Sequence, residues 1–139
     1  DVARVVETAR DVAGRFLSFK MKLGSMGVFP NFSSHRVIWV GIEEGKDKLE
    51  ALAAGLEEKL RQQGFINSSR KWASHLTLGR VKVLKERERL EALFLQYLRE
   101  VEGIEVKVAS LSIIKSELTP QGPVYTILEN VPFRNANRI

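Results

Sequence analysis

The residues with the clearest chemical potential are a histidine and a threonine within residues 73–82. His75 and Thr77 lie two residues apart in a run that alternates polar and apolar side chains. Successive side chains of a β-strand point to opposite faces, so this spacing places both on one face, with Leu76 and Leu78 on the other. An imidazole can accept or donate a proton, and a hydroxyl can hydrogen-bond an anionic oxygen. The pair is therefore suited to phosphate chemistry.

A structural role fits the same pair. Histidines inside folds are commonly hydrogen-bonded without any part in catalysis, and a single His-x-Thr occurs often by chance. The small residues Ala73 and Gly79 leave room for a ligand on the histidine side. On these residues alone both interpretations stay open.

The composition is that of a soluble globular protein. The chain has 139 residues, of which 44% are hydrophobic and 28% charged, and this length predicts one domain over residues 1–139. There is no cysteine and there are only two histidines, which argues against a disulfide framework and a zinc site. The net charge of +5 favours a polyanionic partner, although solubility alone also explains it.

Hydrophobic periodicity predicts the elements that must position His75 and Thr77. The predicted helices span residues 2–16, 47–63 and 85–101, and the predicted strands span residues 17–23, 36–42, 71–83, 104–113 and 124–133. Residues 24–34 are predicted to form a turn-rich connection, and Gly64 to end the second helix. A bulge is expected near Ala109 or Ser110, an antiparallel hairpin around residues 119–123, and a loose tail over residues 135–139.

This order of elements predicts an α+β fold, with helices on one side of antiparallel or mixed sheets. The opposite sheet face would then be open and concave. We expect His75 and Thr77 on that face, together with Lys20 and Lys22. Uninterrupted alternation would put Arg80 on the other side with Leu78, unless Gly79 permits a twist or bulge.

Four segments in order resemble one protein family. His75-Leu76-Thr77-Leu78-Gly79-Arg80 resembles the second His-x-Thr/Ser motif of the 2H phosphoesterases, in particular the 2′-5′ RNA ligases, also described as RNA 2′,3′-cyclic phosphodiesterases. The other matching segments are Gly-Val-Phe-Pro at residues 27–30, Arg-Val-Ile-Trp-Val-Gly at residues 36–41, and residues 115–125. Together they make the match far more specific than the His-x-Thr alone.

The resemblance implies a two-lobed fold in which each lobe contributes one His-x-Thr/Ser to a central cleft. It also implies general acid-base catalysis without a metal or other cofactor. His75 carries over as one of two catalytic histidines, and Thr77 as its phosphate-binding partner. Arg80 and Tyr125 match substrate-binding positions, whereas core packing is expected for Phe29, and Tyr125 fits a core role equally well.

The resemblance also implies a first His-x-Thr/Ser motif upstream of residues 2–16, which this sequence does not contain. We therefore expect the domain to be incomplete at its N-terminus, with some elements of one lobe absent. The second histidine, His35, lacks a hydroxyl residue two positions later and is expected to lie on the surface.

The resemblance thus implies an enzyme that opens RNA 2′,3′-cyclic phosphates to 2′-phosphates, with 2′-5′ RNA ligation as a related reaction. RNA with a cyclic phosphate or a 2′-5′ linkage is the expected partner, and we expect a cytoplasmic monomer with no membrane association. The alternative is a non-catalytic RNA- or nucleotide-binding module, which the basic charge and the single motif favour.

Overall fold

The structure is a computed structural model that describes residues 1–29, 37–65, 72–82 and 85–135. Its helices are α1 (Val2–Ala13), α2 (Lys46–Gln62) and α3 (Arg87–Val101). Its strands are β1 (Phe19–Phe29), β2 (Val37–Glu44), β3 (His75–Arg80), β4 (Glu105–Val108), β5 (Ser110–Thr119) and β6 (Gly122–Pro132). The predicted α+β class is confirmed.

The strands form two sheets. The first has the order β3-β2-β1-β4, and β2 pairs antiparallel with both β1 and β3. The second is the antiparallel hairpin of β5 and β6, which confirms the prediction made from residues 119–123. Gly122 has a φ of +126° at the turn, a conformation that side chains disfavour.

The chain divides into two compact units, one of residues 1–19, 51–71 and 108–139 and the other of residues 20–50 and 72–107. In the second unit Leu23, Val40 and Ile42 form a buried cluster on one face of the first sheet. In the first unit Phe133 is buried and packs against Phe16 and Phe19. The single domain, the incomplete N-terminus and the cleft between two lobes stay predictions.

The prediction of a turn-rich connection from Gly24 onward is wrong for residues 24–29, which continue β1. The glycines there serve close approach instead of turning. A Cβ on Gly27 would overlap the indole of Trp39, and one on Gly24 would lie 2.7 Å from the Cβ of Glu43. Residues 30–36, including the predicted surface residue His35, lie outside the described residues.

The predicted bulge near Ala109 is a break between two strands. β4 ends at Val108 in the four-stranded sheet, and β5 begins at Ser110 in the hairpin. The apolar residues Val108 and Leu111 differ in strand parity, and this difference marks a change of sheet. Alternation alone does not distinguish a bulge within one strand from a break between two strands, because both shift the apolar pattern by one residue.

The predictions about the end of α2 and about the C-terminal tail have different outcomes. Gly64 ends α2 as expected, with a φ of +79° and a backbone N–H that donates to Arg61. Asn135 is not part of a loose tail, since its Oδ1 accepts hydrogen bonds from the backbone N–H and the hydroxyl of Ser18 at 2.6 and 3.0 Å. Residues 136–139 lie outside the described residues.

Candidate active site

His75 and Thr77 are positioned by the pairing of β3 with β2. His75 lies opposite Gly41, and Thr77 lies opposite Trp39. Directly opposite residues of an antiparallel pair share a face, so these four residues lie on one side of the sheet. On the other side Leu76 lies opposite the buried Val40. The predicted separation of His75 and Thr77 from Leu76 is confirmed, whereas Leu78 has no partner in this pairing.

The imidazole of His75 is oriented by a backbone hydrogen bond. Its Nδ1 lies 2.8 Å from the carbonyl oxygen of Ala73. A carbonyl oxygen only accepts, so Nδ1 carries the hydrogen in this contact. In the neutral ring, Nε2 is then an acceptor, and in the protonated ring Nε2 can donate. This geometry presents Nε2 as the nitrogen available for proton transfer.

One aromatic ring contacts His75, and a second ring stacks on the first. Phe29 of β1 meets the imidazole edge-to-face, with ring centroids 5.3 Å apart and an interplanar angle of 78°. Phe29 also stacks on Trp39, with centroids 5.1 Å apart and planes inclined by 26°. Phe29 is 40% exposed, so the core role expected from the sequence is wrong. Its ring belongs to the face that carries His75.

The β3 strand contains a bulge that decides where Arg80 lies. Thr77 pairs with Trp39, but Gly79 pairs with the next residue, Ile38, so Leu78 is an extra residue in the ladder. Arg80 is opposite Val37, which has the same strand parity as Trp39. The sequence placed Arg80 with Leu78 unless a twist or bulge intervened, and a bulge is present at Leu78, so Arg80 lies on the side of Thr77.

Tyr125, the other predicted substrate-binding residue, lies on β6 in the first unit. It is opposite Ser116 and 67% exposed, so it has no core role in this structure. Its face of the hairpin also carries exposed apolar side chains at Ile114, Leu118 and Ile127. The role of Tyr125 in binding a substrate stays a prediction.

The basic residues of β1 are engaged in ion pairs. Lys22 Nζ lies 3.1 Å from Glu44, and Lys20 Nζ lies 3.5 Å from Glu105. The hydrogen bond from Lys22 to Glu44, with the attraction between their charges, raises the pKa of Lys22 above its usual value. Both lysines are therefore balanced by carboxylates.

Sequence reasoning missed the contribution of Trp39. The sequence predicted only a strand over residues 36–42 and assigned no role to Trp39. Its indole covers Gly27, and Gly41 opposite His75 also lies beside it. Its Nε1 is buried and has no hydrogen-bond acceptor within the described part of the chain. The glycines at positions 27 and 41 could have indicated that a large side chain packs over them, since glycine in a strand often marks such a close approach.

The described residues form neither a group of metal ligands nor a helix that could cross a bilayer. No group of three or more His, Asp or Glu side chains among them could hold a metal ion. None of their helices combines the length and apolar character needed to cross a bilayer.

The curated relatives of the chain include RNA 2′,3′-cyclic phosphodiesterases. The Aquifex aeolicus protein is 33% identical over 126 residues, which are 90% of this chain and 66% of the relative. The Methanothermobacter thermautotrophicus protein is 35% identical over 126 residues, covering 91% of this chain and 67% of the relative. The chain spans about two thirds of the length of these relatives.

Solved structures with a similar fold come from two bacteria. The TT0787 protein of Thermus thermophilus superposes with a TM-score of 0.67 at 30% identity, over 96% of this chain and 70% of that chain. E. coli LigT in complex with 3′-AMP superposes with a TM-score of 0.64 at 22% identity, over 94% of this chain and 70% of that chain. The second likeness shows the fold alone.

A family model described as the 2′-5′ RNA ligase superfamily matches residues 1–120. That range contains the His-x-Thr at residues 75–77, the Phe29–Trp39 stack and the bulge before Arg80. The family matches the resemblance inferred from the four sequence segments. The chain belongs to the 2′-5′ RNA ligase superfamily.

Proposed function

We propose that the protein is an RNA 2′,3′-cyclic phosphodiesterase in which His75 transfers a proton. The observation that carries this proposal is the hydrogen bond between His75 Nδ1 and the Ala73 carbonyl, which leaves Nε2 as the reactive nitrogen. The names of the curated relatives support the same reaction. Thr77 shares the face of His75 and supplies a hydroxyl for a phosphate oxygen.

In the proposed reaction, a water oxygen bonds to phosphorus while the bond from phosphorus to the 3′ oxygen breaks. One proton leaves the water and another reaches the 3′ oxygen, giving a 2′-phosphate and a 3′-hydroxyl. We assign to His75 the donation of a proton to the 3′ oxygen. Arg80, which lies on the same side of the sheet, balances the phosphate charge.

The removal of a proton from water requires a second group. By the family resemblance, this group is the histidine of another His-x-Thr/Ser motif, and the 139 residues contain one such motif, at residues 75–77. Paired histidines acting without a metal are therefore part of the proposal. The related transesterification would join RNA ends through a 2′-5′ linkage in the same site. The predictions of a cytoplasmic location and a monomer accompany this proposal.

A second candidate function is a non-catalytic RNA-binding module. The net charge of +5 favours it, because a basic protein attracts the phosphates of RNA. Such a module would hold RNA by phosphate contacts and lose affinity as salt concentration rises, without turnover. A hydrolysis assay combined with a binding assay separates the two functions.

The test compares two histidine variants on a short RNA that ends in a 2′,3′-cyclic phosphate. We expect His75→Ala to lower kcat by about 10²-fold or more, the usual contribution of a positioned acid or base. The matched control is His35→Ala, which removes the other histidine of the chain and should leave kcat unchanged. Phosphorus NMR identifies the 2′-phosphate product.

Binding of the same RNA with a 3′-hydroxyl end is measured in parallel for each variant. Retained affinity in His75→Ala, together with lost turnover, supports the catalytic role. Equal turnover in His75→Ala and the parent protein would contradict it. RNA binding without turnover by the parent protein would support the non-catalytic module.

A further inference from the structure

Phe29 is the side chain of β1 that lies against the His75 imidazole. Their ring centroids are 5.3 Å apart, and the planes meet at 78°. This edge-to-face arrangement is the favoured geometry for aromatic pairs. The backbone hydrogen bond to Ala73 holds the imidazole at Nδ1. The Phe29 ring is thus a second, independent contact of the imidazole.

The Phe29 ring is itself backed by Trp39. The two rings stack at 5.1 Å, and the indole lies over Gly27, which is opposite Trp39 in the sheet. A Cβ at Gly27 would overlap the six-membered ring of the indole. The absence of that atom therefore lets Trp39 lie flat on the sheet. Phe29 consequently rests on a support fixed by two strands.

We propose that Phe29 is a positioning residue for His75. Its ring resists rotation of the imidazole about the Cβ–Cγ bond, so that Nδ1 stays on the Ala73 carbonyl and Nε2 faces the phosphate. A half-turn of the imidazole would break the bond to Ala73 and put carbon Cε1 where Nε2 had been. This inference rests on the proposed catalytic role of His75. Phe29 is 40% exposed and is therefore not part of the buried core.

A positioning role predicts a specific kinetic pattern. Phe29→Leu keeps an apolar side chain but removes the aromatic ring, and we expect kcat to fall about 10-fold with little change in KM, because small misplacements of a reacting group are costly. Phe29→Tyr restores the ring and should recover most of the lost kcat. The matched control is Tyr97→Leu, which removes a 45% exposed aromatic ring on α3 and should leave kcat unchanged.

A second measurement reads the imidazole directly and needs no activity. The chain has two histidines, so ¹⁵N labelling of histidine gives two sets of ring signals, and His35→Gln assigns them. In alkaline buffer the nitrogen shifts report which nitrogen carries the hydrogen in a neutral ring. We expect the Nδ1–H form of His75 to dominate in the parent protein and in Phe29→Tyr, and to lose population in Phe29→Leu.

The outcomes separate this inference from the proposed function. Loss of the Nδ1–H preference with a fall in kcat for Phe29→Leu supports it. An unchanged imidazole, or a changed imidazole with unchanged kcat, overturns it. A rise in KM alone would instead make Phe29 a substrate contact. If the parent protein does not hydrolyse the RNA, the proposed function fails. Even then, a loss of the Nδ1–H form of His75 in Phe29→Leu supports the positioning role, and an unchanged population of that form overturns it.

Discussion

The hydroxyl of Thr77 shares the face of His75 and is exposed on the strand. A group in this position can donate a hydrogen bond to a phosphate oxygen without any change in the packing beneath it. Hydrogen bonds to charged groups contribute more than neutral ones, since the charged partner strengthens them. Thr77 therefore belongs to substrate binding in the proposed reaction, and its loss should leave the fold intact.

Thr77→Val tests this role because valine keeps the β-branched shape and lacks the hydroxyl. We expect kcat/KM for cyclic phosphate hydrolysis to fall by roughly 10-fold or more, the effect of losing a hydrogen bond to a charged group. Thr77→Ser keeps the hydroxyl and should retain most of the activity. Thermal unfolding of the three proteins should coincide. Full activity in Thr77→Val would exclude a phosphate contact.

At the scale of the element, glycines in β1 and β2 make room for the Trp39 indole, on which Phe29 stacks. Gly27 lies opposite Trp39, and the indole occupies the space that a side chain there would fill. Gly79 of β3 differs, because a Cβ at this position would have no atom within 4 Å. The two glycines therefore form a matched pair for substitution.

Gly27→Ala should lower the free energy of unfolding by about 1–3 kcal/mol, because the new methyl group forces Trp39 from its place. Gly79→Ala should change it by less than about 0.5 kcal/mol, as expected for an open site. Urea denaturation of both variants measures the difference. Equal stability of the two variants would show that the position of the Trp39 indole does not require a glycine at residue 27.

At the scale of the whole molecule, much of the fold could be predicted from periodicity. The three helices, the final hairpin and the strand that carries His75 follow from apolar spacing and turn residues. The extension of β1 to Phe29 could not be predicted, because Gly24 and Gly27 are typical turn residues until the facing side chains are known. Local sequence does not contain that cross-strand information.

The sequence predicted the polar residues of the candidate site. It did not predict the aromatic side chains that pack beside them. His75 and Thr77 share a face as the alternation indicated. The bulge at Leu78 was only a possibility in the sequence, because its position depends on the register with β2. The Phe29–Trp39 stack joins residues of two strands, and no spacing within one strand indicates it.

An ion-pair cluster that links α1 to α2 predicts an acid dependence of stability. Asp11 lies 2.7 Å from Lys59 of α2 and 2.9 Å from Arg15. Hydrogen bonds from Lys59 and then from Arg15 hold the pKa of Asp11 below its usual value of 3.8. A lowered folded-state pKa contributes stability above the unfolded-state value, and that contribution is lost as pH falls through the folded-state pKa.

We expect Asp11→Asn to lower Tm slightly at neutral pH, since the cluster is exposed to solvent. The difference from the parent protein should shrink as pH falls below about 3.8 and disappear in stronger acid. Calorimetry across this range measures it. Glu7→Gln, a change at an exposed carboxylate of the same helix, is the control. A pH-independent difference would mean that Asp11 acts through something other than its charge.

The bulge at Leu78 also bears on how far the motif can be transplanted. Grafted onto a regular strand, His-Leu-Thr-Leu-Gly-Arg would present the arginine on the back of the sheet, away from the histidine. The transferable unit is therefore larger than the hexapeptide, because it includes the partner residues from Val37 to Trp39 that set the irregular pairing. A designer who copies the letters without the neighbouring strand would obtain the histidine and threonine but misplace the cation.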